Sequence, residues 1–188
     1  MAGKFYPASP EGLSRALDRC FTGTLPEKLD GAIACVVPHA GIMYSGQVAG
    51  AVYRRLPERP SYVILGPNHF GNGQPLAVMS RGDWETPLGW ARLDENLGQA
   101  MLKNCEGLTE DATAHFGEHS IEVQIPFLQR GSPDFTFVPI AVGAVSYEAL
   151  VTLGQGIAKT LQEAARPVLL IASSDMNHYE PDGITREK

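Results

Sequence analysis

Cysteine is scarce in this chain and badly spaced for zinc or disulfide chemistry. The three present, Cys20, Cys35 and Cys105, are odd in number and form no CxxC pair, which argues against a zinc ribbon or a disulfide framework. Long basic runs are missing too: Lys and Arg total 15 against 21 Asp and Glu, the net charge is −6, and the footprint of a nucleic-acid binder is absent. No stretch reaches the roughly 18 consecutive apolar residues of a membrane span. The opening residues, Met1-Ala2-Gly3-Lys4-Phe5-Tyr6-Pro7, lack the apolar core of a secretory signal, so the cytoplasm is the expected compartment. There is no low-complexity segment.

What is present is an ordinary globular composition, 44% hydrophobic and 19% charged over 188 residues, which suits one domain over 1–188 with a sizeable core. Ser9 and Pro10 suit the cap and first position of a helix whose apolar stripe is Leu13, Ala16, Leu17 and Cys20. A loop with Pro26 follows, from Gly23 to Gly31. The run Ala32 to Val37 reads as a buried strand, with Cys35 a core thiol. Gly41 and Gly46 are expected to allow a tight turn before a helix from Gln47 to about Leu56, with Val48, Val52 and Leu56 on one face and the small residues Ala49, Gly50 and Ala51 close to the sheet. Tyr62 to Leu65 is a second apolar strand, and Pro75 to Met79 a third. Asp83 to Trp90 reads as a hairpin with Pro87-Leu88-Gly89 at its tip, its two tryptophans covering the core. Asp94 opens a helix. Ser120 to Gln129 is helix-like, with Ile121, Ile125 and Leu128 on one face and Pro126 expected to kink it or to confine regular bonding to one side. Phe135 to Ala141 is a strand, Ser146 caps a long helix, and Pro167 to Ile171 is the last strand. This order predicts an α/β domain: a mainly parallel central sheet flanked by helices, with a small antiparallel insertion.

One pattern repeats. Val36-Val37-Pro38-His39 is a strand, a proline break and a histidine. Leu65-Gly66-Pro67-Asn68-His69 repeats it, and Ser173-Ser174-Asp175-Met176-Asn177-His178 ends the last strand with an aspartate and a histidine. Ligands of open α/β sheets bind outside the carboxyl ends of the strands. In a parallel sheet these ends share one rim, so His39, His69, Asp175 and His178 are expected to gather there. Two imidazoles suit a borderline divalent ion such as zinc, copper or ferrous iron, and two histidines with one carboxylate suit non-haem iron. Asp175 and Glu118 are the candidate carboxylates. His178 or His119 can move protons near neutral pH, and an aspartate beside a histidine can instead orient the ring. Glu118-His119 equally suits a plain helix start, with the acid near the positive end of the dipole.

Ala2-Gly3-Lys4-Phe5-Tyr6-Pro7, Pro38-His39-Ala40-Gly41 with Tyr44-Ser45-Gly46, Gly66-Pro67-Asn68-His69, Glu118-His119-Ser120-Ile121-Glu122-Val123-Gln124-Ile125-Pro126-Phe127-Leu128 and Ser173-Ser174-Asp175-Met176-Asn177-His178-Tyr179 together resemble the Memo family, whose bacterial and archaeal members are called AmmeMemoRadiSam system protein B. The resemblance implies a scaffold shared with class III extradiol dioxygenases. It implies His39 and His69 as metal ligands, and Glu118, His119, Asp175 and His178 as catalytic residues lining the same cleft. The implied function is a metal-binding protein, an iron- or copper-dependent redox enzyme. The alternatives are a non-catalytic module for a peptide or small ligand, and a metal-dependent hydrolase.

The family's third ligand resembles a cysteine followed by glycine, well beyond the Ser-Ser-Asp-x-x-His motif. This chain stops at Lys188, ten residues past His178, and none of its cysteines stands at that position. The expectation is a C-terminally truncated pattern, whether as a fragment or by nature, with metal weakly held or absent for want of the thiolate. An uncovered sheet edge or face would then favour a homo-oligomer.

Overall fold

A computed structural model describes residues 1–24, 27–132 and 134–187; Pro26 of the expected loop lies outside the described residues. The chain forms a mixed sheet between two helical layers. Its parallel part runs, in spatial order, β1 (Ala34–Val37), β8 (Val168–Ser173), β2 (Ser61–Pro67) and β7 (Thr136–Val142). Beyond β7, β3 (Leu76–Val78) pairs antiparallel to it, and β6 (Thr109–Glu110) pairs parallel to β3. A hairpin of β4 (Asp83–Thr86) and β5 (Gly89–Leu93) turns at Pro87-Leu88, and the end of β5 joins the start of β7. This is the mainly parallel sheet with a small antiparallel insertion that the sequence predicts.

The strands covered on both faces read as near-continuous apolar runs, and the period of two sorts their side chains. Tyr62, Ile64, Phe137, Leu169 and Ile171 face a layer of α1 (Pro10–Cys20), α2 (Ile42–Tyr53) and α4 (Ile125–Gly131). Val63, Val138 and Ile140 face α3 (Glu95–Asn104) and α5 (Tyr147–Glu163). Local capping agrees with the sequence: Ser9, Asp94 and Ser146 accept from Gly12, Leu97 and Ala149 amides at 3.1–3.2 Å. No helix among the described residues is long and apolar enough to cross a membrane.

Four local expectations are corrected. β1 is an edge strand, because β8, last in sequence, inserts between it and β2; Val36 is 54% exposed and Cys35 only half-buried. Next to that edge an apolar groove of about 1060 Å³ opens between the sheet and α5, lined by Ile33, Leu65, Leu153, Ile157 and Leu170. Second, α2 starts at Ile42 and buries Ile42, Gly46, Ala49, Gly50 and Tyr53, leaving Val48 exposed. Its glycines serve packing against α1 rather than a turn: neither Gly41 nor Gly46 has positive φ, a Cβ on Gly50 would overlap the Cys20 carbonyl, and one on Gly46 would lie 2.7 Å from Cys20 Sγ. Third, Pro126 stands in the first turn of α4, after a 3-10 turn over Glu122–Gln124, where its missing N–H costs nothing. Regular helical bonding is confined to the C-terminal side of Pro126, and no single helix spans Ser120 to Gln129. Fourth, only Trp84 covers the core, edge-to-face on Phe137 at 5.3 Å, while Trp90 is 65% exposed on the outer side of the hairpin.

Candidate metal centre

The strand order β1-β8-β2 sets the carboxyl ends of three parallel strands side by side. His39 lies two residues past β1, Asp175 two past β8 and His69 two past β2. A fourth segment, 117–121, folds under the end of β2. It fits because residue 66 is glycine: a Cβ there would stand 2.6 Å from Ser120 Oγ and 2.7 Å from Ile121 Cγ1. Ser120 Oγ then donates to the Pro67 carbonyl at 2.9 Å. Gly117, with φ of 78°, turns the chain into this position.

That segment delivers His119 to the other two histidines. Its ring stacks on His69 with centroids 4.5 Å apart and on Phe5 at 4.1 Å, while His39 meets His69 and His119 edge-on at 5.3 and 5.5 Å. One ring nitrogen from each of His39, His69 and His119 lies within 4.8 Å of the others. The sequence predicts His119 in the cleft beside two candidate ligands, His39 and His69; the geometry brings all three imidazoles within reach of one ion.

Carboxylates organise the rim. Glu118 Oε2 accepts the His69 backbone N–H at 2.7 Å, and Oε1 accepts the His119 and Ser120 amides at 2.8 and 2.9 Å. Oε1 also receives His69 Nδ1 at 2.9 Å, so this ring keeps its hydrogen on Nδ1 and its lone pair on Nε2. Burial opposes the charge on Glu118, but these hydrogen bonds from Ser120 and His69 outweigh it and pull the pKa down to about 2. Asp175 does related work: Oδ1 accepts the His39 and Ala40 amides at 2.7 and 3.2 Å, and Oδ2 lies 3.0 Å from His178 Nε2. Against the cost of burial, the His39 amide and ring, His178 and Ala40 lower the Asp175 pKa. Burial lowers the pKa of both His39 and His119, reinforced by their neighbouring imidazoles. Both rings are therefore neutral and fit to donate lone pairs at neutral pH.

All six candidate residues thus meet on one rim, in two groups. His39, His69 and His119 form the cluster, with Glu118 behind His69. His178, its side chain 56% exposed, stands off the cluster and touches it through Asp175. His115, from the same stretch as His119, is buried apart from them against Trp84, at 5.7 Å, and burial drops its pKa to about 4. Ser173, Gln124 and Tyr53, which stand behind His39, have no role predicted from the sequence. Gln124 carried a usable signal: it is the one polar residue in Val123-Gln124-Ile125-Pro126-Phe127-Leu128, and it is fully buried.

The fold and rim define an α/β protein with a histidine cluster at its strand ends. The family follows from comparison. A family model described as Memo-like protein matches residues 1–187. The chain is 46% identical over 182 residues to a MEMO1 family protein of Archaeoglobus fulgidus, covering 97% of this chain and 67% of that one. It is 42% identical over 188 residues to one of Methanosarcina barkeri, covering 100% and 69%, and 40% identical over 200 residues to one of Methanopyrus kandleri, covering 100% and 71%. The chain belongs to the Memo family, and it spans about two thirds of the length of these relatives.

Proposed function

We propose that His39, His69 and His119 hold one divalent metal ion, iron, copper or zinc, and that the rim carries out redox chemistry on a small-molecule or peptide ligand. The observation that carries this reading is the approach of three imidazole nitrogens to within 4.8 Å of one another. The neutral state of His39 and His119, and the Nδ1–H that Glu118 fixes on His69 so that Nε2 is the nitrogen turned to the cluster, fit such an ion. A bound ion would supply Lewis acidity and, as iron or copper, an electron relay. Glu118, with four N–H partners, positions His69 and does not trade protons at neutral pH. Asp175 anchors the His39 loop through two amides and steadies His178, whose exposed ring is the group able to exchange protons with solvent or a ligand.

Metal analysis of untagged protein tests the assignment. The wild type is expected to bind stoichiometric metal, and His39→Ala with His69→Ala to lose it; an undiminished content in the double variant would sink the reading. A metal-dependent hydrolase is the second reading, favoured because three histidines with an open position are also the donor set of water-activating zinc sites. Oxygen uptake that depends on His178 separates the redox reading from hydrolysis that survives strict anaerobiosis. The three cysteines are unpaired, which suits a reducing compartment and a cytoplasmic location. The open β1 edge supports self-association by strand addition. Sedimentation of Val36→Lys is expected to show fewer oligomers than the wild type; a monomeric wild type would remove that part of the proposal.

A further inference from the structure

We infer that Ser173 is a positioning residue that locks His39 in the tautomer with its hydrogen on Nδ1, with Gln124 and the Ser120 carbonyl fixing the direction of every hydrogen bond around it. The purpose of this arrangement rests on the metal-centre reading; its geometry and its primary test do not.

Donors and acceptors in this buried cluster can pair in only one way. Ser173 Oγ lies 2.5 Å from the Ser120 carbonyl oxygen, 2.8 Å from Gln124 Nε2 and 3.1 Å from His39 Nδ1. The carbonyl can only accept, so the one hydroxyl hydrogen of Ser173 is committed to it. The Gln124 amide is oriented independently: Nε2 also lies 3.0 Å from the Pro38 carbonyl, and Oε1 lies 2.9 Å from the Tyr53 hydroxyl. Its NH2 group therefore faces Ser173 and donates to it. One lone pair remains on Ser173 Oγ, and His39 Nδ1 must donate into it. Nε2 then carries no hydrogen and is the lone pair this ring offers to an ion. The opposite tautomer would set two lone pairs against each other at Nδ1, and would aim its Nε2 hydrogen at Asp175 Oδ2, which at 3.9 Å is too far to compensate. Water cannot rescue that arrangement, because His39 is 2% exposed, Ser173 3% and Gln124 0%.

The residues come from four separate places: the loop after β1, the C-terminal end of α2, the turn before α4 and the end of β8. His39 and Ser173 are 134 positions apart. His69 obtains the same tautomer from Glu118, a charged acceptor; His39 obtains it from a neutral hydroxyl whose own hydrogen is already spent.

Long-range proton–nitrogen correlation spectra of the metal-free, nitrogen-15-labelled full chain test this directly. His39 is expected to show a protonated Nδ1 and a bare Nε2. Ser173→Ala is expected to give a mixture of tautomers and Zn2+ affinity weaker by about 10–100-fold, the usual cost of losing a partner behind a metal-binding histidine. Ser173→Thr, which keeps the hydroxyl, should restore both. A bare Nδ1 on His39 in the wild type overturns the inference, as does a pure Nδ1–H tautomer in a folded Ser173→Ala. The wild-type spectrum decides the matter if the alanine variant fails to fold. A wild type with the expected tautomer that takes up no Zn2+ would overturn the metal-centre reading and support the tautomer assignment.

Discussion

Glu118 and Asp175 occupy matching corners of the rim and do different work. Each accepts the backbone N–H of a cluster histidine at 2.7 Å, Glu118 from His69 and Asp175 from His39. Each also bonds an imidazole. Glu118 bonds the ring of the same histidine it caps, and is closed off by four N–H donors with its side chain 3% exposed. Asp175, 12% exposed, turns its second oxygen to His178 on the surface instead. A carboxylate saturated by fixed donors stays charged and holds geometry. One that shares itself with an exposed histidine stays connected to solvent. Two carboxylates of like chemistry thus anchor a histidine loop at each corner, one closed off from solvent and one in contact with an exposed ring, and the division follows from how many amides each loop turns inward.

Removing the anchors should break this comparison most visibly. Glu118→Ala strands three backbone amides and a ring N–H and is expected to destabilise the fold by about 3 kcal/mol, against about 1–2 kcal/mol for Asp175→Ala, which strands two amides and releases a histidine already exposed to water. Denaturant unfolding measures both, and equal losses would refute the distinction between closed and open corners. Acid should act in two stages on the metal-free protein. His39 and His119 have lowered pKa values, so the unfolded chain takes up protons first and stability declines as pH falls below about 6.5. Glu118, at about 2 against an ordinary 4.5, adds a second decline between those values. Zn2+ affinity should also fall with acid, beginning below the ordinary histidine value, since protons compete for the same lone pairs. Stability flat from pH 7 to pH 3 would contradict the assignment of all three groups.

A loss no larger than that of Glu118→Ala is expected where the Glu118 segment packs under β2. Gly66→Ala drives a methyl against Ser120 and Ile121, displacing the segment that carries Glu118 and His119, at a cost of about 1–3 kcal/mol. Zn2+ binding should weaken with it, and unchanged binding would mean that His119 is not held by this contact. The smallest effect belongs to Tyr53→Phe. It removes one hydrogen bond to Gln124 Oε1, worth about 1 kcal/mol in unfolding experiments. The Pro38 carbonyl still orients the amide, so the His39 tautomer should not change.

The sequence by itself determined the elements and the repeated placement of His39, His69 and Asp175 just past strand ends. Those depend on short-range physics: the apolar run Tyr62-Val63-Ile64-Leu65, the caps at Ser9, Asp94 and Ser146, and the proline breaks at Pro38 and Pro67. The motifs also carried the family, since several specific stretches occur in the right order. Tertiary structure alone decided the rest. The apolar run before His39 could not reveal that β8 would slip between β1 and β2 and leave β1 at the edge, because strand order is set by which faces the crossover helices can cover. Nor could Glu118-His119 show its part as a helix start or a site. Glu118 anchors His69 from 49 positions away, because Gly66 leaves room for its neighbours Ser120 and Ile121. Ser173 reaches His39 across 134 positions. Periodicity records which face a side chain takes along its own element; it carries no information about which buried donor will meet which acceptor when distant segments close on one another.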